Sequence, residues 1–170
     1  KVVIAGMGVV SPLGHTVDGY WSRLTNGESG ISLLETFDPS RFKSRIGGAV
    51  REFDADALSG RKEARRMDRF CHFALAAADQ AWEDADLREG RFDPERTGVY
   101  AGSGVGGLGT LLGQAAVLTE RGPERVSPTL VPMMISNMAS AMISMRFGAR
   151  GPSMSPVTAC SIGNTAIGEA

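Results

Sequence analysis

The sequence predicts an α/β protein built around a mixed, mostly parallel sheet. Three short apolar runs have the pattern of buried strands, and each is followed by a turn and then by a helical pattern. Strands that alternate with helices are typical of this class. The chain has 170 residues, of which 42% are hydrophobic and 22% are charged. This is the composition of one ordinary globular domain, or of a large half of a bigger one.

The first predicted strand is Val2–Gly6, and its all-apolar run predicts burial on both faces. A glycine-rich turn then leads to a helix that Thr16 caps and that runs to about Asn26, with the next glycine as its stop. Residues 28–58 predict irregular structure with short strands around Ile46–Val50.

The remaining elements alternate between helix and strand. Asp68 caps a long predicted helix whose apolar face carries phenylalanines and alanines at helical spacing. The elements after it are a buried strand over Thr97–Ala101, a glycine loop over residues 102–107, a helix over Thr110–Glu120, one continuous helix over Met133–Phe147, a strand over Ser153–Ala159 and a last helix that Cys160 opens.

Charge and cysteine content argue against several classes of function. The 18 basic and 19 acidic residues give a formal net charge of −1, which disfavours nucleic-acid binding by the whole chain. No apolar run reaches the roughly 18 residues that a membrane span needs. Cys71 and Cys160 lack CxxC spacing, so we expect neither a zinc site nor a disulfide framework. The sequence therefore predicts a reducing, cytoplasmic location.

Charged residues are scarce in the last part of the chain. Residues 101–170 contain only seven of them, together with six of the eight methionines. A stretch of this kind is expected to be mostly buried. It therefore predicts a larger core, or a face that a partner subunit covers.

Cys160 is the strongest candidate for chemistry. It lies where the third predicted strand meets the last helix, among the small residues Ala159, Ser161 and Gly163. A thiol at a helix N-terminus is favoured as thiolate, and free backbone N–H groups beside it can hold an oxyanion. This is the arrangement of a nucleophile elbow with Cys in place of Ser. The alternative is an inert buried cysteine, which is our expectation for Cys71 in mid-helix.

The glycine loop GSGVGG at residues 102–107 also satisfies the GxGxxG pattern of dinucleotide-binding folds. However, it follows the second strand rather than the first, and the acidic residues about twenty positions on, Glu120 and Glu124, do not end a strand. We therefore expect a turn that lets the backbone approach a ligand or a neighbouring strand. A nucleotide site and purely structural glycines are the alternatives.

The sequence offers no convincing base for Cys160. His15 and His72 are the two histidines, and neither has a spacing that places it opposite the cysteine. We expect surface or structural roles for both. A nucleophile without a proton-transferring partner predicts an incomplete site and hence a segment of a longer enzyme.

Basic residues cluster in one short stretch, where they form either a solvated face or a docking site for an acidic protein. The cluster is Arg61, Lys62, Arg65, Arg66 and Arg69, and Arg121 and Arg125 lie in a separate turn.

Five separated stretches resemble the elongating β-ketoacyl-acyl-carrier-protein synthases. They are VVIAGMGVVSPLG at 2–14, RKEARRMDRF at 61–70, GSGVGGLG at 102–109, GPERVSP at 122–128 with the following VPMMISNMAS at 131–140, and GARGPSMSPVTACSIG at 148–163. Their number and order across essentially the whole chain make the resemblance specific. The cysteine motif alone is shared loosely with polyketide ketosynthases.

The resemblance implies a thiolase-like fold of five alternating α and β layers, with residues 1–170 as its N-terminal half, ending just after the nucleophile. It implies a homodimer. The family's two catalytic histidines, its lysine and its gating phenylalanine loop belong to a second half that has no counterpart in this sequence.

The resemblance also implies roles for single residues. Cys160 would accept the acyl group, Val105 would gate the deep acyl pocket and Ala159 would form a pocket wall. Leu130 and Val131 would line the acyl channel of the partner subunit.

Lys62, Arg65, Arg66 and Arg125 match positions where the acidic acyl carrier protein docks. Glu124 departs from the family pattern, because relatives often have Arg there, and this weakens that edge of the docking surface.

The reaction implied is a decarboxylative Claisen condensation between an acyl-enzyme thioester and malonyl-acyl carrier protein, which elongates fatty acids without a metal or organic cofactor. One alternative is the chain-extending ketosynthase of an aromatic polyketide system. Another is a non-catalytic partner similar to a chain-length factor, against which the presence of Cys160 argues.

Overall fold

The computed structural model describes residues 1–88 and 90–170, and its contacts divide them into two units. Unit 1 comprises residues 1–54 and 76–86, and unit 2 comprises residues 55–75 and 87–170. The helices are α1 Val17–Thr25, α2 Ala55–Ser59, α3 Arg61–Ala64, α4 Arg69–Asp84, α5 Leu108–Arg121, α6 Leu130–Met134, α7 Met138–Phe147 and α8 Ile162–Glu169. The strands are β1 Ser32–Leu33, β2 Ile46–Gly47, β3 Val99–Tyr100 and β4 Ser153–Met154.

Unit 1 contains α1 and an antiparallel pair of short strands. The hydroxyl of Thr16 accepts a hydrogen bond from the Gly19 N–H and caps α1, which ends at Asn26 as the sequence predicts. Strand β1 pairs with β2 in the register Ser32↔Gly47 and Leu33↔Ile46. The prediction of short strands in this irregular region is confirmed, although it did not include α2.

The prediction of a buried first strand at Val2–Gly6 is wrong. No described residue pairs with this segment as a strand, and the Val2 and Ile4 side chains are 98% and 82% exposed. The segment directly after it is held by side chains of α4 instead. The Met7 N–H donates to the Asp84 carboxylate at 2.9 Å, and the Gln80 amide bonds both the N–H and the carbonyl of Val9. An apolar run becomes a buried strand only where a second strand is present to satisfy its backbone groups.

Unit 2 has its hydrophobic core where the first half of α4 packs against α7. Met67, Cys71 and Leu75 are buried, and α7 contributes Met138 and Met142 to the same cluster. The predicted long helix after Asp68 is thus confirmed, and its buried face in this unit is the one that carries Cys71 and Leu75.

A parallel strand pair lies in unit 2. Strand β3 pairs with β4 in the register Val99↔Ser153 and Tyr100↔Met154. Both predicted strands are therefore present but shorter than predicted. The pair aligns the two loops that follow it, which begin at Ala101 and Ser155, along one edge of the strands.

The predicted continuous helix Met133–Phe147 is wrong. The structure has two helices, α6 and α7, with Ile135 between them in an extended conformation at φ −68° and ψ 139°. The carbonyl of Met134 accepts a hydrogen bond from the Gly107 N–H at 2.8 Å. Because this hydrogen bond to the glycine loop occupies the Met134 carbonyl, the helix is interrupted at the end of α6. Helix α7 then ends at Gly148, whose φ of 68° is left-handed, as the sequence predicts.

The charge-poor stretch is mostly not buried within the described part of this chain. Apolar side chains of this stretch that remain exposed include Leu112, Val131, Met145 and Ile167. Both interpretations of this stretch, part of a larger core or a face that a partner subunit covers, stay predictions. None of the helices in the described residues is long and apolar enough to cross a membrane.

Candidate active site

Cys160 lies in a short 3₁₀ turn, Ala159–Ser161, that immediately precedes α8. The N–H and the hydroxyl of Ser161 both donate to the Thr158 carbonyl, at 3.2 Å and 2.8 Å. The hydroxyls of Thr158 and Thr165 are 2.9 Å apart and tie the turn to α8. The side chain of Cys160 is exposed. The prediction that Cys160 lies at the start of the last helix is confirmed.

The residue before the cysteine has an unusual backbone conformation. Ala159 has a φ of 51°, which is in the left-handed region that a residue with a Cβ adopts at a cost of about 1–3 kcal/mol. Among the described residues, no hydrogen-bond acceptor contacts the N–H of Cys160. A sharp turn that presents an exposed thiol next to a free N–H can hold a tetrahedral oxyanion beside the attacking sulfur.

Backbone contacts join the glycine loop to the cysteine turn. A Cβ at Gly102 would collide with the carbonyl oxygen of Pro156 and would lie 3.0 Å from Cγ1 of Ile162. Pro156 and Ile162 flank Cys160 in the sequence. The glycine at position 102 therefore permits the close approach of these two segments.

The same loop packs against α6. A Cβ at Gly106 or Gly107 would collide with the carbonyl of Met134 or Met133, respectively. The Ser155 hydroxyl donates to the Ser136 carbonyl at 3.2 Å, so the cysteine segment also contacts the residues that follow α6. The structure thus brings together three segments that are far apart in the sequence.

The predicted pocket residues lie on these three segments. Val105 belongs to the glycine loop and is 63% exposed. Leu130 and Val131 begin α6, with Leu130 half-buried and Val131 57% exposed. Ala159 lies in the cysteine turn and is exposed.

Asp68 makes a contact that sequence reasoning missed. Its Oδ2 accepts hydrogen bonds from both the N–H and the hydroxyl of Thr110 in the first turn of α5. The sequence gives only a weak signal for this contact. Gly107, the N-cap residue of α5, has no side chain to cap the helix, so another group has to do so. A carboxylate here also argues against the dinucleotide alternative, because it occupies and charges the helix terminus that would bind a pyrophosphate.

The predicted docking residues are all exposed and lie in unit 2. Lys62 is on α3, and Arg65 directly follows this helix. Arg66 forms an exposed ion pair with Glu63 at 3.4 Å, and Arg125 lies in the 3₁₀ turn after α5. A cluster whose positive charges face solvent fits either a solvated face or a docking site.

His72 does not supply a base for the cysteine, and His15 belongs to the other unit. His72 is buried, and its Nε2 lies 3.0 Å from the Ala64 carbonyl oxygen. His15 belongs to unit 1, where its ring makes an edge contact with Phe53 and lines a cavity of about 430 Å³. This cavity contains none of the predicted site residues.

Cys71, the second cysteine, is buried, whereas Cys160 is exposed. Cys71 is fully buried in the core of unit 2, which confirms its predicted burial. Burial first, and then the nearby Asp68 charge, together raise the pKa of the Cys71 thiol to about 12. A thiol of this kind remains protonated and inert at neutral pH.

The comparisons with known proteins agree with this geometry. The family model "Beta-ketoacyl synthase, N-terminal domain" matches residues 1–170. The chain belongs to the beta-ketoacyl synthase family. The resemblance found in the sequence is therefore confirmed.

A curated relative from Synechocystis sp., 3-oxoacyl-[acyl-carrier-protein] synthase 2, is 46% identical over the whole of this beta-ketoacyl synthase chain. The chain spans 41% of the length of that relative.

Solved ketosynthases have the same fold. The ishigamide ketosynthase/chain length factor superposes with a TM-score of 0.84 at 23% identity, over 99% of this chain and 44% of that one. A type II polyketide ketosynthase solved with its acyl-carrier protein superposes with a TM-score of 0.77 at 20% identity, over the same shares of the two chains. The predicted thiolase-like α/β fold is confirmed.

Proposed function

We propose that this chain is the N-terminal part of an acyltransferase, a 3-oxoacyl-[acyl-carrier-protein] synthase that elongates fatty acids. The observation that carries the proposal is the exposed Cys160 in a strained turn before α8, within a chain that matches the family domain throughout. The segment interpretation rests on the chain's 41% share of its curated relative.

The first half-reaction is acylation of Cys160. The thiolate attacks the carbonyl carbon of an acyl thioester carried by acyl carrier protein. The C–S bond to the carrier then breaks, and the carrier leaves as a thiolate that takes up the proton released when Cys160 ionised. The free N–H of Cys160 stabilises the oxyanion of the tetrahedral intermediate.

The second half-reaction forms the carbon–carbon bond. Malonyl-acyl carrier protein loses carbon dioxide, and the electron pair of the broken bond forms an enolate. Its carbon attacks the acyl group, the bond to the Cys160 sulfur breaks, and a 3-oxoacyl chain remains on the carrier. Stabilising the enolate requires groups other than His72, because His72 is buried and its ring is hydrogen-bonded to the Ala64 carbonyl.

Two features of the surface support the proposed partners. The exposed basic residues Lys62, Arg65, Arg66 and Arg125 would recruit the acidic carrier protein by complementary charge. A homodimer would cover exposed apolar side chains of the charge-poor stretch, among them Val131. A cytoplasmic location and the absence of a cofactor stay predictions.

A chain-extending polyketide ketosynthase is the second candidate, because a type II polyketide ketosynthase shares the fold of this chain. The fatty-acid function has the stronger support, because the relative named for it is 46% identical.

Acylation of the full-length natural protein tests the proposal. After incubation with acyl carrier protein that carries a saturated acyl chain, mass spectrometry should find the acyl group on the Cys160 peptide. Cys160→Ala should abolish acylation, and Cys71→Ala should retain it. Added malonyl carrier protein should yield a chain longer by two carbons. A poly-β-keto product formed from malonyl units would support the polyketide alternative, and absence of acylation would contradict both.

A further inference from the structure

The carboxylate of Asp68 lies at the start of α5, which is 42 residues further along the chain. The Thr110 N–H donates to Asp68 Oδ2 at 3.2 Å, and the Thr110 hydroxyl donates to the same oxygen. Helix α5 has no capping side chain of its own, since its N-cap residue is Gly107. Asp68 therefore satisfies a donor that would otherwise lack a partner, and its charge complements the helix dipole.

The same carboxylate contacts the glycine loop. A Cβ at Gly107 would lie 2.8 Å from Asp68 Oδ2, so this carboxylate lies close to the backbone of the loop. The Gly107 N–H donates to the Met134 carbonyl at 2.8 Å, and the Gly106 N–H donates to the Ser103 hydroxyl at 2.9 Å. The backbone next to Val105 is thus hydrogen-bonded to α6, and the Asp68 carboxylate lies close to the same backbone.

Asp68 is itself held firmly. Met67, its neighbour, is buried in the core of unit 2. The Asp68 carbonyl accepts a hydrogen bond from the Cys71 N–H at 3.0 Å, which fixes the start of α4. Its side chain is therefore attached to a rigid part of the unit and can restrain a loop that glycines would otherwise leave free.

We propose that Asp68, acting through Thr110, is a positioning residue that fixes the glycine loop and with it Val105, and so sets how sharply the enzyme discriminates between acyl chains of different length. This inference rests on the proposed function. While Asp68 and Thr110 restrain the loop, the Val105 side chain stays in one position. Without this restraint Val105 can move aside and admit acyl chains of any length.

The test compares acylation of Cys160 by short and long acyl chains in the full-length protein. Thr110→Val removes the hydroxyl but preserves the branched shape, and Thr110→Ser preserves the hydroxyl. Asp68→Asn removes the charge at nearly constant size. Thr119→Val, on the same helix, is the matched control, because its hydroxyl bonds only within α5.

We expect Thr110→Val and Asp68→Asn to move the ratio of long-chain to short-chain acylation rates toward one by about fivefold or more. Thr110→Ser and Thr119→Val should keep the wild-type ratio. If both altered variants lower the melting temperature but retain that ratio, Asp68 is purely structural and the inference is wrong, while the proposed function stands. Failure of the wild-type protein to become acylated would instead overturn the proposed function, and the inference with it.

Discussion

Gly106→Ala should destabilise the protein through two separate effects at one atom. Gly106 has a φ of 78°, in the region that residues with a Cβ adopt only at a cost. A Cβ built there would also collide with the Met134 carbonyl oxygen and would lie 3.0 Å from the Ser136 nitrogen. Both neighbours are backbone atoms, so neither can move aside by changing a side-chain rotamer.

The size of the effect follows from these contacts. The left-handed conformation costs a residue with a Cβ about 1–2 kcal/mol. Overpacking against atoms that do not yield typically adds about 1–3 kcal/mol. The free energy of unfolding should therefore fall by about 2–5 kcal/mol, which is a large share of the usual stability of a domain.

Gly104→Ala is the matched control in the same loop. Apart from Gly104 and its two chain neighbours, no heavy atom of the described residues lies within 4 Å of a Cβ at Gly104, and its φ is not in the left-handed range. This variant should change stability by no more than about 1 kcal/mol, and a gain is expected because alanine restricts the unfolded chain. Urea denaturation of the full-length protein measures both variants, with the slope m compared to confirm that the same surface unfolds. Equal midpoints for the two variants would refute the close contact between the glycine loop and α6.

Three further predictions concern the surface, the pocket and the core. Lys62→Glu combined with Arg66→Glu should raise KM for carrier-bound substrates, less so at high salt, and should leave KM for small thioesters unchanged. The control is Lys43→Glu, which changes an exposed lysine outside the cluster. Equal losses for both substrate types would contradict a docking role. Val105→Phe should lower kcat/KM for long acyl chains about tenfold relative to short ones, and equal slowing of all chains would contradict a gate. Because the pKa of Cys71 is raised from 9.0 to about 12, the unfolded chain loses this proton first, so stability should fall by about 1.4 kcal/mol per pH unit above roughly pH 9. Cys71→Ala should lack this part of the alkaline loss, and an identical pH dependence in denaturation curves would disprove the raised pKa.

Local chemistry made several parts of the fold predictable. The bounds of α1 follow from the Thr16 cap and the glycine after Asn26, and both act within one helical turn. The burial of Cys71 follows from its place in an apolar mid-helix stretch. The exposed turn at Cys160 follows from small residues between a strand and a helix. Each of these features depends on neighbours along the chain, which the sequence specifies directly.

Other features depended on groups far away in the sequence. Val2–Gly6 has the composition of a buried strand, but a strand forms only where another strand pairs with it. The helix predicted through Ile135 is interrupted because Gly107 takes the Met134 carbonyl.

The sequence places Asp68 just before a long helix, but it does not identify Asp68 as the partner of Thr110. Hydrogen bonds between distant segments are decided by which backbone and side-chain groups the packed chain brings within about 3 Å. This information lies in the tertiary structure, and no local pattern of residues contains it.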